Sequence, residues 1–285
     1  MFKQLGVGVL ALGALHAAEI AGSDLLKPAL EAGLQKASPR STVDFAGTLP
    51  GRRGLATGRT TLAVLFCKDG EAEPNAPAGL TLKRYLLANA AVVVAVHKAN
   101  TINQVSFADL MSLLAKDPKD YFVNWSDLAG GNLTDPILTY LYAPHGALTR
   151  ELTQGLPLAG APLRAEVNLT MDWAPVSQSL ANRRLTLVLA PALPAGAEAR
   201  LLQVADGRPG RPKTAYSPDE MNIYNGDYPL RLPLYLYVRS DHEQAHKETI
   251  KWLFSEMAAE QIRGLGLYPA PQAIRERLAQ RLDSR

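Results

Sequence analysis

A single cysteine, Cys67, stands among 285 residues, so no intramolecular disulfide framework can form. Nothing beside it in the sequence resembles an activating partner, and Cys67 reads as a small core residue at a strand end rather than a catalytic thiol. Charge of one sign is scarce too. The formal net charge is only +3, with no dense basic stripe of the kind nucleic acid requires. Beyond Ala18 no apolar segment is long enough to span a membrane. Paired carboxylates at a useful spacing, a metal-ligand cluster and a nucleophile elbow are all missing, so neither an enzyme nor a cofactor is expected. His242 and His246 come nearest, at i, i+4 and close to Asp241, Glu243 and Glu248. Without an HExxH pattern they read as an exposed polar helix face. Repeats and low-complexity tails are absent. A hydrophobic share of 47% with 20% charged residues is that of a soluble globular protein, and the length suits one large domain or two lobes.

What is present begins with a leader. Met1-Phe2-Lys3-Gln4 gives a positive start, Leu5 to Leu15 a short apolar run, and His16-Ala17-Ala18 small residues for cleavage. This is the layout of a secretory signal peptide over residues 1–18; the other reading is an apolar first helix. No cysteine near the cleavage point offers a lipid anchor. The mature chain is expected to begin near Glu19 and to be periplasmic or secreted.

The rest is organised around KRYLLANAAVVVAVHKAN, Lys83 to Asn100. Ala90 to Val96 is an uncharged run of small and β-branched residues, which reads as a strand buried on both faces in an α/β protein. Polar His97 to Asn100 follows, and a new helix signal begins at Ser106, as if the chain left one packed unit and entered another. A second such segment, PLRLPLYLYV, runs from Pro229 to Val238. Two crossings predict two lobes, the first from residues 19–94 and 230–285, the second from 95–229.

Before the first crossing the order is strand, helix, strand, helix, strand, which argues for a parallel sheet. The strands are Glu19 to Gly22, Thr42 to Gly47 and Thr61 to Phe66. A helix starts at Ser23 or Asp24, and a short one, capped by Thr48, stops at Gly58. Asp69 to Gly79, rich in Pro, Ala, Glu and Gly, reads as an exposed loop. Further on, Ser106 caps a helix to Leu114, Asp135 to Tyr142 is a strand, and His145-Gly146-Ala147 turns into a helix from Thr149 to Gln154. Asp172 to Ala181 is a helix and Leu185 to Leu189 a strand. One amphipathic helix is expected from His242 to Met257, with Ala245, Thr249, Trp252, Leu253 and Met257 inward. A charged helix, Ala273 to Leu282, comes last.

Three segments share a design of strand, short hydroxyl-bearing turn and helix start: Gly22-Ser23-Asp24, Gly47-Thr48 with Gly51, and Gly146 with Thr149. Each presents backbone N–H groups at the positive end of a helix, where an anion is stabilised without a metal. Any one of them alone is an ordinary helix cap.

IAGSDLL, GTLPGRRGLATG, AAVVVAVHKAN, VSFADLMSLL with NWSDLAGG, and YPLRLPLYLYV together resemble the substrate-binding proteins of bacterial phosphate ABC transporters, from about Ile20 to the C-terminus. The resemblance implies an α/β, periplasmic binding protein-like fold. Two α/β lobes with mostly parallel sheets would be joined by two crossing strands, clamping phosphate or a related small oxyanion. A membrane permease is the implied partner and a monomer the implied state. Ser23 and Asp24 fall in the first ligand loop, Thr48 replaces the serine of the glycine turn, and Gly51 matches its last glycine. Gly146 and Thr149 match the second-lobe turn.

Two departures stand out. Ala143 occupies the family's arginine position, removing a bidentate oxyanion partner. Thr61 to Phe66 replaces the D-I-A-x-x-S strand, so its carboxylate and serine are gone. Arg52 and Arg53 read first as a solvated helix face and second as replacement positive charge; His145 is a loop-surface residue or a donor from the second lobe. The expectation is a periplasmic solute-binding protein of an ABC-type uptake system. The alternative is a module that kept the fold, lost phosphate binding and acts in interaction or sensing.

Overall fold

The structure, a computed structural model, describes residues 20–144, 158, 160–207 and 213–284. The leader expected over residues 1–18, the turn carrying His145, Gly146 and Thr149, and the helix expected to Gln154 lie outside the described residues.

The first lobe holds a six-stranded sheet of β1 (Ile20–Gly22), β2 (Val43–Asp44), β3 (Leu62–Phe66), β4 (Leu82–Ala91), β13 (Arg231–Arg239) and β14 (Tyr268–Pro269), in the order β14-β4-β13-β3-β1-β2. The second lobe has a five-stranded sheet in the order β10-β5-β9-β7-β8. Its members are β5 (Val93–His97), β7 (Leu138–Tyr142), β8 (Asn168–Thr170), β9 (Thr186–Ala190) and β10 (Ala199–Leu201). Beside it β6 (Gln104–Ser106), β11 (Gln203–Ala205) and β12 (Ala215–Tyr216) form a small sheet.

Parallel pairing is confined to β2-β1-β3, β8-β7-β9 and β6-β11; β4, β5 and β13 pair only antiparallel. The sheets are therefore mixed, a refinement of the mostly parallel expectation. A continuous apolar run reports burial on both faces and says nothing of the direction of its neighbours.

At the first crossing β4 ends at Ala91 and β5 starts at Val93, so Val92 alone links the two sheets. Val92 N donates to Leu230 O at 2.9 Å, and the fully buried Tyr228 hydroxyl donates to Val92 O at 2.7 Å. The two crossings are thus bonded to each other where they pass between lobes.

Helix α1 (Lys27–Ala37) buries Leu30 and Leu34 in the main core, and α2 (Thr48–Thr57) covers the opposite side of β1 and β3. Helix α3 (Phe107–Leu114) starts at a capping box, with Ser106 Oγ accepting from Asp109 N at 3.1 Å and Asp109 accepting from Ser106 N at 2.6 Å. The NWSDLAGG stretch that follows is a structural turn. Asp127 accepts from Val123 N and Asn124 N, both at 2.8 Å, and buried Trp125 donates Nε1–H to Leu185 O at 3.2 Å. Helix α4 (Trp173–Asn182) packs on β9, and α5 (Glu220–Asn225) near β4.

The expected helix from His242 to Met257 is broken. A 3₁₀ turn at Ser240–His242 leads to α6 (Lys247–Leu253), and Ser255 then caps a separate helix, α7 (Glu256–Gly264), accepting from Ala258 N at 3.3 Å. The break shifts the register. Ala245 and Met257, expected inward, are exposed, whereas Thr249 and Leu253 are buried. His246 and Glu243, expected on a polar face, are buried as well. Helix α8 (Gln272–Asp283) closes the chain. Among the described residues no helix is long and apolar enough to cross a membrane.

Candidate functional site

Ser23 follows β1 and is buried, its N–H donating to Val64 O at 3.0 Å. Gly47, the residue before α2, donates its N–H to Gly22 O at 3.0 Å. These two bonds draw the first two hydroxyl-bearing turns together at the carboxyl ends of β1 and β3, where open α/β sheets hold their ligands. Gly22 is required for the approach: a Cβ there would lie 2.0 Å from the Phe45 ring. Gly47 has φ of 121°, a conformation open to glycine.

Neither turn closes its helix with a side chain. Ser23 accepts no cap bond from the backbone, and its hydroxyl lies 3.5 Å from the exposed Asp24 carboxylate, to which it donates. Thr48, expected to cap α2, is its first residue instead, with Gly47 in the cap position and no side-chain cap bond. The first N–H groups of α2 are left to solvent or ligand. Gly51 lies one turn inside the helix. Its N–H donates to Gly47 O at 3.2 Å, and a Cβ would come within 2.6 Å of Leu65 Cδ2, so this glycine seats α2 on β3.

Arg52 turns toward the loop after β3. Nη1 donates to Ala72 O at 2.9 Å and Nη2 pairs with Glu71 at 3.0 Å and lies 3.4 Å from the buried Cys67 Sγ. The loop is exposed, as expected, and is also tied to the lobe at alternate acidic residues. Asp69 binds Arg231 of β13 at 3.0 and 3.2 Å, Glu71 binds Arg52 of α2, and Glu73 pairs with Arg84 of β4. Arg231 also donates to Asn89 Oδ1 at 3.0 Å.

Thr61, taken as the lost carboxylate position, is at the wrong end of β3. The register sets Ile20 beside Leu62 and Gly22 beside Val64, so the turn end of the sheet is the Phe66 end, roughly 16 Å of strand away. The Thr61 hydroxyl instead bonds buried His246 Nε2 at 2.7 Å. Phe66 is core, 6% exposed. The carboxylate that follows the correct end is Asp69, already held by Arg231; its signal was the acidic spacing of Asp69, Glu71 and Glu73, read only as loop composition. In the second lobe, buried Ala143 donates its N–H to Thr170 O at 2.8 Å, and α4 is capped by its own Asp172 carboxylate, which accepts from Ala174 N at 3.0 Å. His145, Gly146 and Thr149 lie outside the described residues.

No protein-family model and no curated protein matches the chain. Solved structures do. A possible phosphate binding protein from Planctomyces limnophilus aligns with a TM-score of 0.69 at 18% identity, covering 94% of this chain and 98% of that one. PstS from Borrelia burgdorferi aligns at 0.65 and 14%, covering 90% and 99%. An ABC-type phosphate transport receptor from Vibrio cholerae aligns at 0.57 and 19%, covering 88% and 98%. Sheet order, strand crossings and these alignments agree: the chain has the two-lobed α/β fold of periplasmic binding proteins.

Proposed function

We propose that the chain is a solute-binding protein that holds phosphate or a related small oxyanion between its lobes and delivers it to an ABC-type permease. The observation that carries the reading is the pairing of two uncapped, hydroxyl-bearing turns, Ser23 and Gly47-Thr48, at one end of the first-lobe sheet. The likeness in fold to proteins described as phosphate binding supports it. Ser23, Asp24 and Thr48 are the first-lobe ligand residues on this reading, with Gly51 shaping the turn and His145, Gly146 and Thr149 facing them from the second lobe. The lobes divide at residues 19–94 with 230–285 and at 95–229. Residues 1–18 are a leader removed on export to the periplasm, and the protein works as a monomer.

A thermal-shift and calorimetric titration with phosphate, sulfate and short carboxylates tests this. Phosphate at a hundred times its Kd adds about 2.7 kcal/mol to stability. Thr48→Val, which keeps shape and removes the hydroxyl, should weaken binding roughly tenfold. Saturable binding of no anion would sink the reading.

A second reading has its own observation. Arg52 is committed to Glu71, Asp69 to Arg231, and Ala143 stands where a guanidinium is expected, which leaves exposed Arg53 of α2 as the cation near the turns without an acidic partner among the described residues. On this reading the fold is kept, phosphate is lost, and the protein acts in interaction or sensing.

A further inference from the structure

A cavity of about 270 Å³ lies in the first lobe where β4, α5 and α8 meet. Tyr85, Tyr224 and Phe254 give it aromatic walls, and Leu86, Ile274 and Leu278 complete an apolar lining. Arg277 and Arg281 stand beside it one turn apart on α8, the Arg281 guanidinium 5.6 Å from the centre of the Tyr85 ring. Among the described residues neither meets a carboxylate.

By contrast Arg52, Arg84, Arg164, Arg231, Arg239, Arg263 and Arg275 each pair with an acid. Four acids on the elements around the cavity are already engaged. Glu73 holds Arg84, the third arginine of the lining, and Glu243 accepts from Tyr85 and Lys83. Asp283 is shared by Lys247 and Lys251, and Glu276 accepts from Gln272. An apolar, ring-walled space is left with two uncompensated guanidinium groups at its edge.

We infer that this cavity binds a small organic anion with an aromatic body, an aryl or arylalkyl carboxylate. The ring would enter among Tyr85, Tyr224 and Phe254, where ring contacts add to apolar burial. The carboxylate would meet Arg277 and Arg281, whose planar forks match its two oxygens. The volume decides between a small molecule and a peptide. At about 30 Å³ per water it has room for roughly nine waters, enough for one ring with a short acidic arm. The site is separate from the turns at Ser23 and Thr48 and does not depend on what they bind.

Titration of the full chain by NMR with phenylacetate tests this against phenethyl alcohol, which has the ring without the charge, and acetate, which has the charge without the ring. Phenylacetate should saturate resonances of Tyr85, Tyr224 and Ile274, with each control at least about tenfold weaker. The exposed double substitution Arg277→Gln/Arg281→Gln should cost about tenfold or more in affinity with an unchanged spectrum elsewhere. Saturating phosphate should not compete, and Thr48→Val should bind phenylacetate as the parent does. Unsaturable shifts, equal binding of the alcohol, undiminished binding by the double variant or displacement by phosphate would each overturn the assignment.

Discussion

His246 carries a charge switch in the first lobe. It is 1% exposed, its ring bonded to Thr61, and burial, helped by the nearby His242, pushes its pKa down to about 4. The unfolded chain takes up this proton as pH falls through about 6.5, while the folded chain refuses it until about 4. Between those values the unfolded state binds more protons, so stability falls as pH falls and levels off below. The full difference corresponds to roughly 3 kcal/mol. Urea denaturation from pH 7.5 to 4 should show the loss, and His246→Gln should flatten it; a parent curve already flat would rule the switch out. Gly131 makes a sharper steric case. A Cβ there would lie 1.7 Å from Trp125 O, a backbone atom that cannot rotate away. Gly131→Ala should cost about 1–3 kcal/mol by urea melt, and an unchanged midpoint would refute this account of NWSDLAGG. That motif was legible as a signature, but its work is local: it seats Trp125 and closes a turn. The displaced Thr61 shows the opposite limit, since a string of apolar residues can be aligned to a family strand without revealing which end faces the ligand.

Among elements, the crossing is where packing and motion meet. Val92 links two sheets, and its carbonyl is held by Tyr228 and its N–H by Leu230. Tyr228→Phe removes the donor and leaves Val92 O buried without its partner, at a cost of about 1–3 kcal/mol. Hydrogen exchange should quicken at Val92 and its neighbours more than in α1; uniform exchange would mean that the bond does not hold the crossing. The crossing itself was legible because β-branched residues without charge have few places to go. The helix from His242 to Met257 was misjudged for a related reason. Its apolar spacing runs on through Ser255, but that serine caps a new helix, and a cap decides register where periodicity only suggests it. The acidic spacing of Asp69, Glu71 and Glu73 was visible, but not its pairing: Arg52 and Arg84 lie on the flanking elements and Arg231 on a strand 162 residues beyond Asp69.

For the molecule as a whole, the proposed function requires the two lobes to bend at their narrow bonded crossing. On the proposed function, saturating phosphate should reduce the radius of gyration in small-angle scattering, and Thr48→Val should shift that change to higher phosphate. A binding curve with no change in size would mean that the lobes are already closed. Fold and lobe connectivity were within reach of the sequence because burial and turn chemistry are written locally. Side-chain pairing across a sheet depends on register, which the chain settles only when it is folded.

β13 has one more consequence. It lies between β3 and β4, in the middle of the first-lobe sheet, yet it ends at Arg239 of a 285-residue chain. During synthesis β3 and β4 are made early and must wait for their shared central partner, while the strands from β5 to β12 can pair among themselves. The first part of the molecule to be translated is therefore the last to be completed, and until the return strand arrives its apolar strands are the segment most in need of protection from aggregation.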